Sequence, residues 1–430
     1  MRRILTGFVL FAIVTAILAT SVLGTRSSRD RDSTTSDLPT KIDENLNGGN
    51  GSVPTLNTNV DGYNKFGFDI FKQLISHHDN GNLIISGVSI SSALAMTMNG
   101  AGGATRKEMA SVVGQSGLNT TQFDQFNFDL LKGLESSDPS VSLSIANSIW
   151  ARKGVHFYPD FLKRDHEFFK AEITSLDFAD PGSLATINGW VSKNTNGKIN
   201  KIVERLTPDS VMMLVNAVYF KGKWQNEFKK SDTNPEDFRT DKGKTIKVPM
   251  MSQPGRYLYQ KGDHWQAVSL PYGSGRFSLY VFLPDGEAKS LNGFLATLNQ
   301  ETWNTWMNGF HEQPGTIKIP RFKMESDENL VPSLKKLGMV SAFDPEHADF
   351  SAMSREPLYI EIVKHKAVID VNEEGTEAAA ATAVGVARAT AMMPPPPFEF
   401  IADHPFFIAI RDSQTGALLF IGTVSDPESN

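Results

Sequence analysis

The sequence predicts an α+β fold, with helices packed around a large mixed β-sheet plus smaller sheets. Three observations predict it. Apolar residues early in the body recur at helical spacing, later segments are short apolar or alternating runs bounded by Gly, Pro or Asp, and no regular strand–helix alternation runs through the chain. Phe66, Phe68, Ile70, Phe71, Leu74 and Ile75 form the apolar face of a first helix. Ser89–Met98 reads as a second helix of small residues buried on several sides, with Ser86 or Ser89 as its N-cap. Gly100–Gly103 ends it as a helix C-terminal turn. Strand patterns then follow. Val141–Arg152 alternates in part, and Val211–Phe220 is a near-continuous apolar run, the pattern of a strand buried on both faces. Tyr257–Tyr259, Ala267–Pro271, Ser278–Leu283, Thr316–Pro320, Ile360–Val371 and Phe406–Arg411 complete the series.

Three segments divide the chain. In residues 1–24, Arg2 and Arg3 precede an apolar run from Ile4 to Gly24, with small residues at Val22 and Gly24. This reads as a secretory signal peptide. The run also reaches the ~20 residues of a spanning helix, so an uncleaved anchor is the alternative, and only then does the protein meet a membrane. Both readings place the rest of the chain outside the cytoplasm, secreted or periplasmic. Residues 25–58 are rich in Ser, Thr, Asp, Asn and Gly and read as a disordered polar linker. Residues 59–427 show no second linker and no repeat, and read as one large domain.

Composition excludes several functions. The 430 residues hold 42 Lys+Arg against 48 Asp+Glu, a formal charge of −6. Nucleic acid is therefore not an expected partner, because its binding needs a basic face to release counterions. With no cysteine, thiolate zinc sites, cysteine nucleophiles, iron–sulfur clusters and disulfides are excluded. No nucleophile elbow, phosphate loop or H-E-x-x-H motif is present, so no catalytic residue, small-molecule cofactor or metal is expected. His77-His78 reads as a helix end, His365 as a hydrogen-bonded core histidine, and Asp69, Glu108 and Glu172 as solvated acids.

The unusual segment is Glu373–Pro397. Between Thr376 and Ala391 nearly every residue is small, and only Glu377 and Arg388 are charged. Strand patterns run up to it and away from it, which argues against a linker. Read as a strand, Thr376, Ala378, Ala380, Thr382, Val384 and Val386 share one uncharged face, and Glu377 falls on the other. A shift of one residue would bury Glu377, so the segment has a preferred register. Gly375 supplies a hinge with access to unusual dihedrals.

These blocks together resemble the serpin family. The resemblance covers Val60 to Pro427. It rests on Asn82–Ile90, on Ala93–Met96 through Gly100-Ala101 with Thr105, Glu108 and Met109, on Val215–Trp224, and on Phe400–Ile408. Gly87 stands where the family usually has proline, a departure expected to loosen one turn. The resemblance implies a serpin fold with an exposed reactive-centre loop, and an inhibitor rather than an enzyme. The loop is cleaved as bait by a serine protease, forms a covalent acyl complex, and enters the main sheet as a new strand. Inserting about 14 residues at ~3.3 Å each makes a strand of roughly 45 Å.

By resemblance, Glu373, Glu374, Gly375, Thr376, Glu377 and Ala378, Ala379, Ala380, Ala381 form the hinge of an inhibitory member. Ser86, Ser89, Asn188 and His365 form a polar shutter under the sheet, and Trp224 lies at the breach above it. Family spacing from Gly375 puts the reactive bond at Ala389-Thr390, suited to an elastase-like or subtilisin-like protease, with Arg388-Ala389 as the trypsin-like alternative. A non-inhibitory binding or chaperone protein of the same fold is the other functional reading.

Overall fold

The computed structural model describes residues 56–78, 81–135, 138–285, 290–376 and 396–429, all within one compact unit, Val53–Asn430. The expected signal peptide, most of the expected linker, and Glu377, Ala378–Ala381, Arg388, Ala389 and Thr390 lie outside the described residues. In chain order the elements are α1 (Leu56–Ile75), β1 (Leu83–Ile85), α2 (Gly87–Met98), α3 (Gly103–Val112), α4 (Thr120–Leu134), β2 (Val141–Arg152), α5 (Pro159–Phe169), β3 (Glu172–Leu176), α6 (Pro181–Asn194), β4 (Met212–Lys223), β5 (Asn234–Arg239), β6 (Thr245–Gly262), β7 (Trp265–Tyr272), β8 (Phe277–Pro284), α7 (Leu291–Thr297), α8 (Gln300–Met307), β9 (His311–Pro320), β10 (Phe322–Asn329), α9 (Val331–Lys336), β11 (Ile362–Asn372), β12 (Gly375–Thr376), β13 (Phe398–Ile401), β14 (Phe406–Asp412) and β15 (Leu418–Val424). Helix α1 starts at Leu56, three residues inside the stretch expected to be linker. Among the described residues no helix is long and apolar enough to cross a membrane.

Two sheets organise these elements. A nine-stranded sheet runs β1-β15-β14-β8-β7-β6-β9-β13, with β5 joined to β6. A six-stranded sheet runs β10-β11-β12-β4-β2-β3, and β11 also pairs with β4 directly. The second sheet is mixed: β11–β4 and β2–β3 are parallel, while β10–β11 and β2–β4 are antiparallel. The apolar run of β4 is continuous because both of its faces are covered. Met212, Leu214 and Phe220 join the main core, while Met213, Val215 and Ala217 pack against Ile187 and Val191 of α6.

The short run Tyr257–Tyr259 lies near the end of an 18-residue strand, β6. Pro249, Pro254 and Gly255 obscure its period in the sequence, yet all three lie within its pairing with β5 and β9.

Gly87 is the first residue of α2, after the N-cap Ser86, whose side chain accepts from Ser89 N. Glycine at this position also has a packing role that the sequence does not show. A Cβ on Gly87 would lie 2.6 Å from Cα of Gly67 in α1, so the glycine permits close helix–helix approach. Gly87→Ala should therefore overpack this crossing at a cost of about 1–3 kcal/mol. Thermal denaturation should show a lowered midpoint, and an unchanged midpoint would refute the close approach.

Candidate functional site

Strands β11 and β4 pair directly from Ile362↔Met213 to Val368↔Tyr219, with His365 opposite Asn216 in the middle. Their inward side chains meet the N-terminus of α2. His365 Nε2 accepts from the Ser86 backbone N–H at 3.2 Å, so Nδ1 carries the ring hydrogen and donates to Asn216 Oδ1 at 2.5 Å. Asn216 Nδ2 donates to Ser89 Oγ and Asn147 Oδ1, each at 2.6 Å, and Asn147 Nδ2 donates to Ser92 Oγ at 3.0 Å. All of these residues are buried. The chain from Ser86 through His365, Asn216 and Asn147 to Ser92 ties β11, β4 and β2 to one helix. It satisfies polar groups that would otherwise be costly to bury.

Asn188 does not belong to this cluster. It lies on α6, where Nδ2 donates to Val203 O at 2.9 Å and Oδ1 accepts from Ile202 N and Val203 N. It caps the segment leaving α6, and Asn216 holds the place the sequence reading gave to Asn188. Glu108 is a second correction. It is not simply solvated, because its carboxylate accepts from Val340 N, Ser341 N and Ser341 Oγ. Burial would raise its carboxyl, but these bonds hold it below the usual range. His78 sits just past α1 and bonds Glu328 at 3.1 Å, which raises its pKa. Among the described residues no group of three His, Asp or Glu could hold a metal.

Beyond Val368 and Tyr219 the two strands part, and β12 fills the gap. Thr376 pairs with Val371 on one side and Gly222 on the other, and Gly375 pairs with Asn372 and Lys223. Gly375 has φ 142°, and a Cβ there would lie 2.1 Å from Gly222 O, so only glycine fits. Thr376 is buried, and its hydroxyl bonds Tyr272 OH at 2.8 Å. The Tyr272 ring stacks on Trp224 at 4.4 Å between centroids, and burial pushes its phenol up. Trp224 Nε1 donates to Asn372 O at 2.8 Å, and its backbone N–H donates to Glu374 O. Trp224 thus stands at the fork of the two strands.

Two ion pairs anchor the turn before β12. The buried carboxylate of Glu373 takes hydrogen bonds from Arg321 at 2.5 Å and Thr233 at 2.8 Å. Burial alone would raise its pKa, but Arg321 and these hydrogen bonds hold it below the ordinary value. Glu374 pairs with the exposed Lys230 at 2.7 Å.

The site is thus a mixed sheet closed around a buried polar cluster, with the short strand β12 paired on both sides at its open end. The comparisons name the class. The family model described as serpin (serine protease inhibitor) matches residues 61–427. The leukocyte elastase inhibitor of Bos taurus is 38% identical over 84% of this chain and 98% of its own. A serpin-like protein of Thermococcus kodakarensis is 37% identical over 86% of each chain. The native structure of the thermophilic serpin tengpin matches with TM-score 0.78 and 32% identity, over 85% of this chain and 94% of that one. The chain belongs to the serpin family.

Desolvation pushes the His365 pKa down to about 3. A proton on Nε2 would face the Ser86 N–H, donor against donor, so the folded state keeps the ring neutral. The unfolded chain binds that proton near pH 6.5. The stability from a neutral His365 is therefore fully present above pH 6.5 and lost as pH falls toward 3. In urea titrations, His365→Gln should lose stability at pH 7, and its deficit should shrink between pH 6.5 and 3. A deficit that stays constant across that window would show that the ring is not held neutral.

Proposed function

We propose that this chain is a suicide-substrate inhibitor of serine proteases, secreted after loss of residues 1–24. The cleaved loop enters the six-stranded sheet between β11 and β4 and traps the acyl-enzyme. It is an inhibitor and not an enzyme, and it needs no cofactor.

The observation that carries this reading is the register of β12. Six residues beyond Thr376 lies Thr382. Six residues back along β4 from its partner Gly222 lies Asn216, and six back along β11 from its partner Val371 lies His365. Continued in register, the loop would bring Thr382 into the rung that the His365–Asn216 bond now closes. Directly opposed residues share a face, so the Thr382 hydroxyl would point inward, able to replace the bond it breaks. Glu377 would fall on the outer face opposite the exposed Lys221. Ala378–Ala381 carry no bulk that would obstruct entry.

The metastable form withholds its lowest state kinetically. Thr376→Arg places an unpaired cation at a buried position, which is costly. It should abolish SDS-resistant complex with a responsive protease while leaving the loop cleavable. Undiminished complex on a gel would sink the insertion register. We place the reactive bond at Ala389-Thr390, with Arg388-Ala389 the neighbouring option. Mass spectrometry of the C-terminal peptide released from the complex decides. A start at Thr390 supports the first, a start at Ala389 the second, and a start beyond Met393 overturns both.

A further inference from the structure

A second buried polar cluster lies at the far end of α2, outside the candidate site. Asn99, the C-cap of α2, meets Asp124 of α4 and Asp165 of α5. Its Nδ2 donates one hydrogen to Asp124 Oδ1 and the other to Asp165 Oδ1, each at 2.9 Å. Asp124 is 2% exposed and Asp165 0%. A single amide thus holds two buried carboxyl groups together and joins three helices.

The two carboxyls are not equivalent. Asp124 Oδ2 is paired with Arg164 of α5 at 3.2 Å. Arg106 of α3 also acts on Asp124, while its own hydrogen bonds go to Met98 O and Thr120 Oγ1. Burial raises the Asp124 pKa against the pull of Asn99, Arg164 and Arg106. Among the described residues the Asp165 side chain takes its one hydrogen bond from Asn99, and its Oδ2 is buried without a partner. Asn99 Oδ1 is the other buried oxygen of the cluster without one. A bare carboxylate at Asp165 would stand near the Asp124 charge with a single hydrogen bond, and burying such a charge is costly. A proton on Asp165 removes the charge and supplies the hydrogen that the orphan oxygens lack. Burial pushes the Asp165 pKa well above the usual carboxylate range, helped by the Asp124 charge and opposed by Asn99 and Arg164.

We propose that Asp165 keeps its proton in the folded protein, and that α2, α4 and α5 therefore form a pH-responsive clasp, tight in acid and loosened as the pH rises. The unfolded chain loses this proton near pH 3.9. Stability from the clasp is fully present below that value and is lost as pH rises toward the raised folded value. The other end of α2 makes the reverse demand, because His365 there must stay neutral. One helix is pinned at its N-terminus by a group that must not take a proton, and at its C-cap by one that must not lose it.

Urea titrations of the intact protein and of Asp165→Asn, from pH 4 to 8, read the clasp without any protease. The variant has no proton to lose, and its amide can donate where the acid did. The folding equilibrium of the wild type should fall against it by about tenfold per pH unit until folded Asp165 ionises. A fixed offset from the packing of the amide leaves that slope in place. A flat difference, or a variant weaker at pH 7 whose deficit closes in acid, overturns the proposal. If Asp165→Asn does not fold, the wild type itself decides. With isotope-labelled aspartate, its infrared spectrum at pH 7 should show a carboxylic-acid C=O band that moves with the label, and absence of that band overturns the buried acid. Asp124→Asn should keep the band, and its loss would put the proton on Asp124 instead. Hydrogen–deuterium exchange along α5 should speed up in the wild type relative to Asp165→Asn as pH rises above 7. Equal exchange in both proteins at every pH overturns the clasp.

Discussion

The rung formed by His365 and Asn216 is the constraint on which the rest of the structure depends. It sits midway along the direct pairing of β11 and β4, and both residues are buried. A neutral imidazole donates at one nitrogen and accepts at the other, and both capacities are used, one across the seam to Asn216 and one toward the Ser86 N–H at the N-cap of α2. A buried polar network of this kind is stabilising only while every member keeps its partner. The seam therefore behaves as closed or open, with little cost-free ground between. Under the proposed insertion, an arriving strand would have to offer hydrogen-bonding groups of its own at this level.

Above the seam the balance of forces changes from polar satisfaction to geometry and charge. Gly375 lies so near Gly222 O and Lys223 Cα that no side chain fits. Glu373 is held by Arg321 and Thr233, so the turn before β12 is fixed at its base. Tyr272, stacked on Trp224, holds the Thr376 hydroxyl through its own. Anchor and wedge are adjacent in the chain, which gives any strand entering there one starting register.

Much of this was legible in the sequence, and for identifiable reasons. The continuous apolar run of β4 signalled burial on both faces, and the small residues of α2 signalled a helix covered all round. Ser86 carried its capping role in its type and position. Asn216 was missed because one asparagine inside Val215–Phe220 does not interrupt a strand pattern, and nothing local shows that it opposes His365. Asn188 was placed in the cluster by resemblance, but its amide is fully used by the backbone at Ile202 and Val203. The partners of Glu108 and Glu373 lie more than two hundred and about fifty residues away in sequence. Such pairings follow from topology, which a one-dimensional pattern does not carry. Tyr257–Tyr259 was read as short because two prolines and a glycine lie along the rest of β6.

Under the proposed insertion, the seat of α6 decides which parts of the molecule would travel as the seam parts. Its core neighbours are Ala146 and Trp150 of β2 and Met213, Val215 and Ala217 of β4, whereas β11 contributes Val368 and the half-buried Ile362. The segment following α6 is fastened to β11 by Lys366 Nζ, which donates to Lys201 O at 2.8 Å. With β2 and β4 paired from Val141↔Gly222 to Ala151↔Met212, these two strands and α6 would then move together, as one leaf of a hinged door. Strands β10 and β11 make the other leaf. The helix would ride with its leaf, and Lys366 is the bolt that such a swing would have to draw.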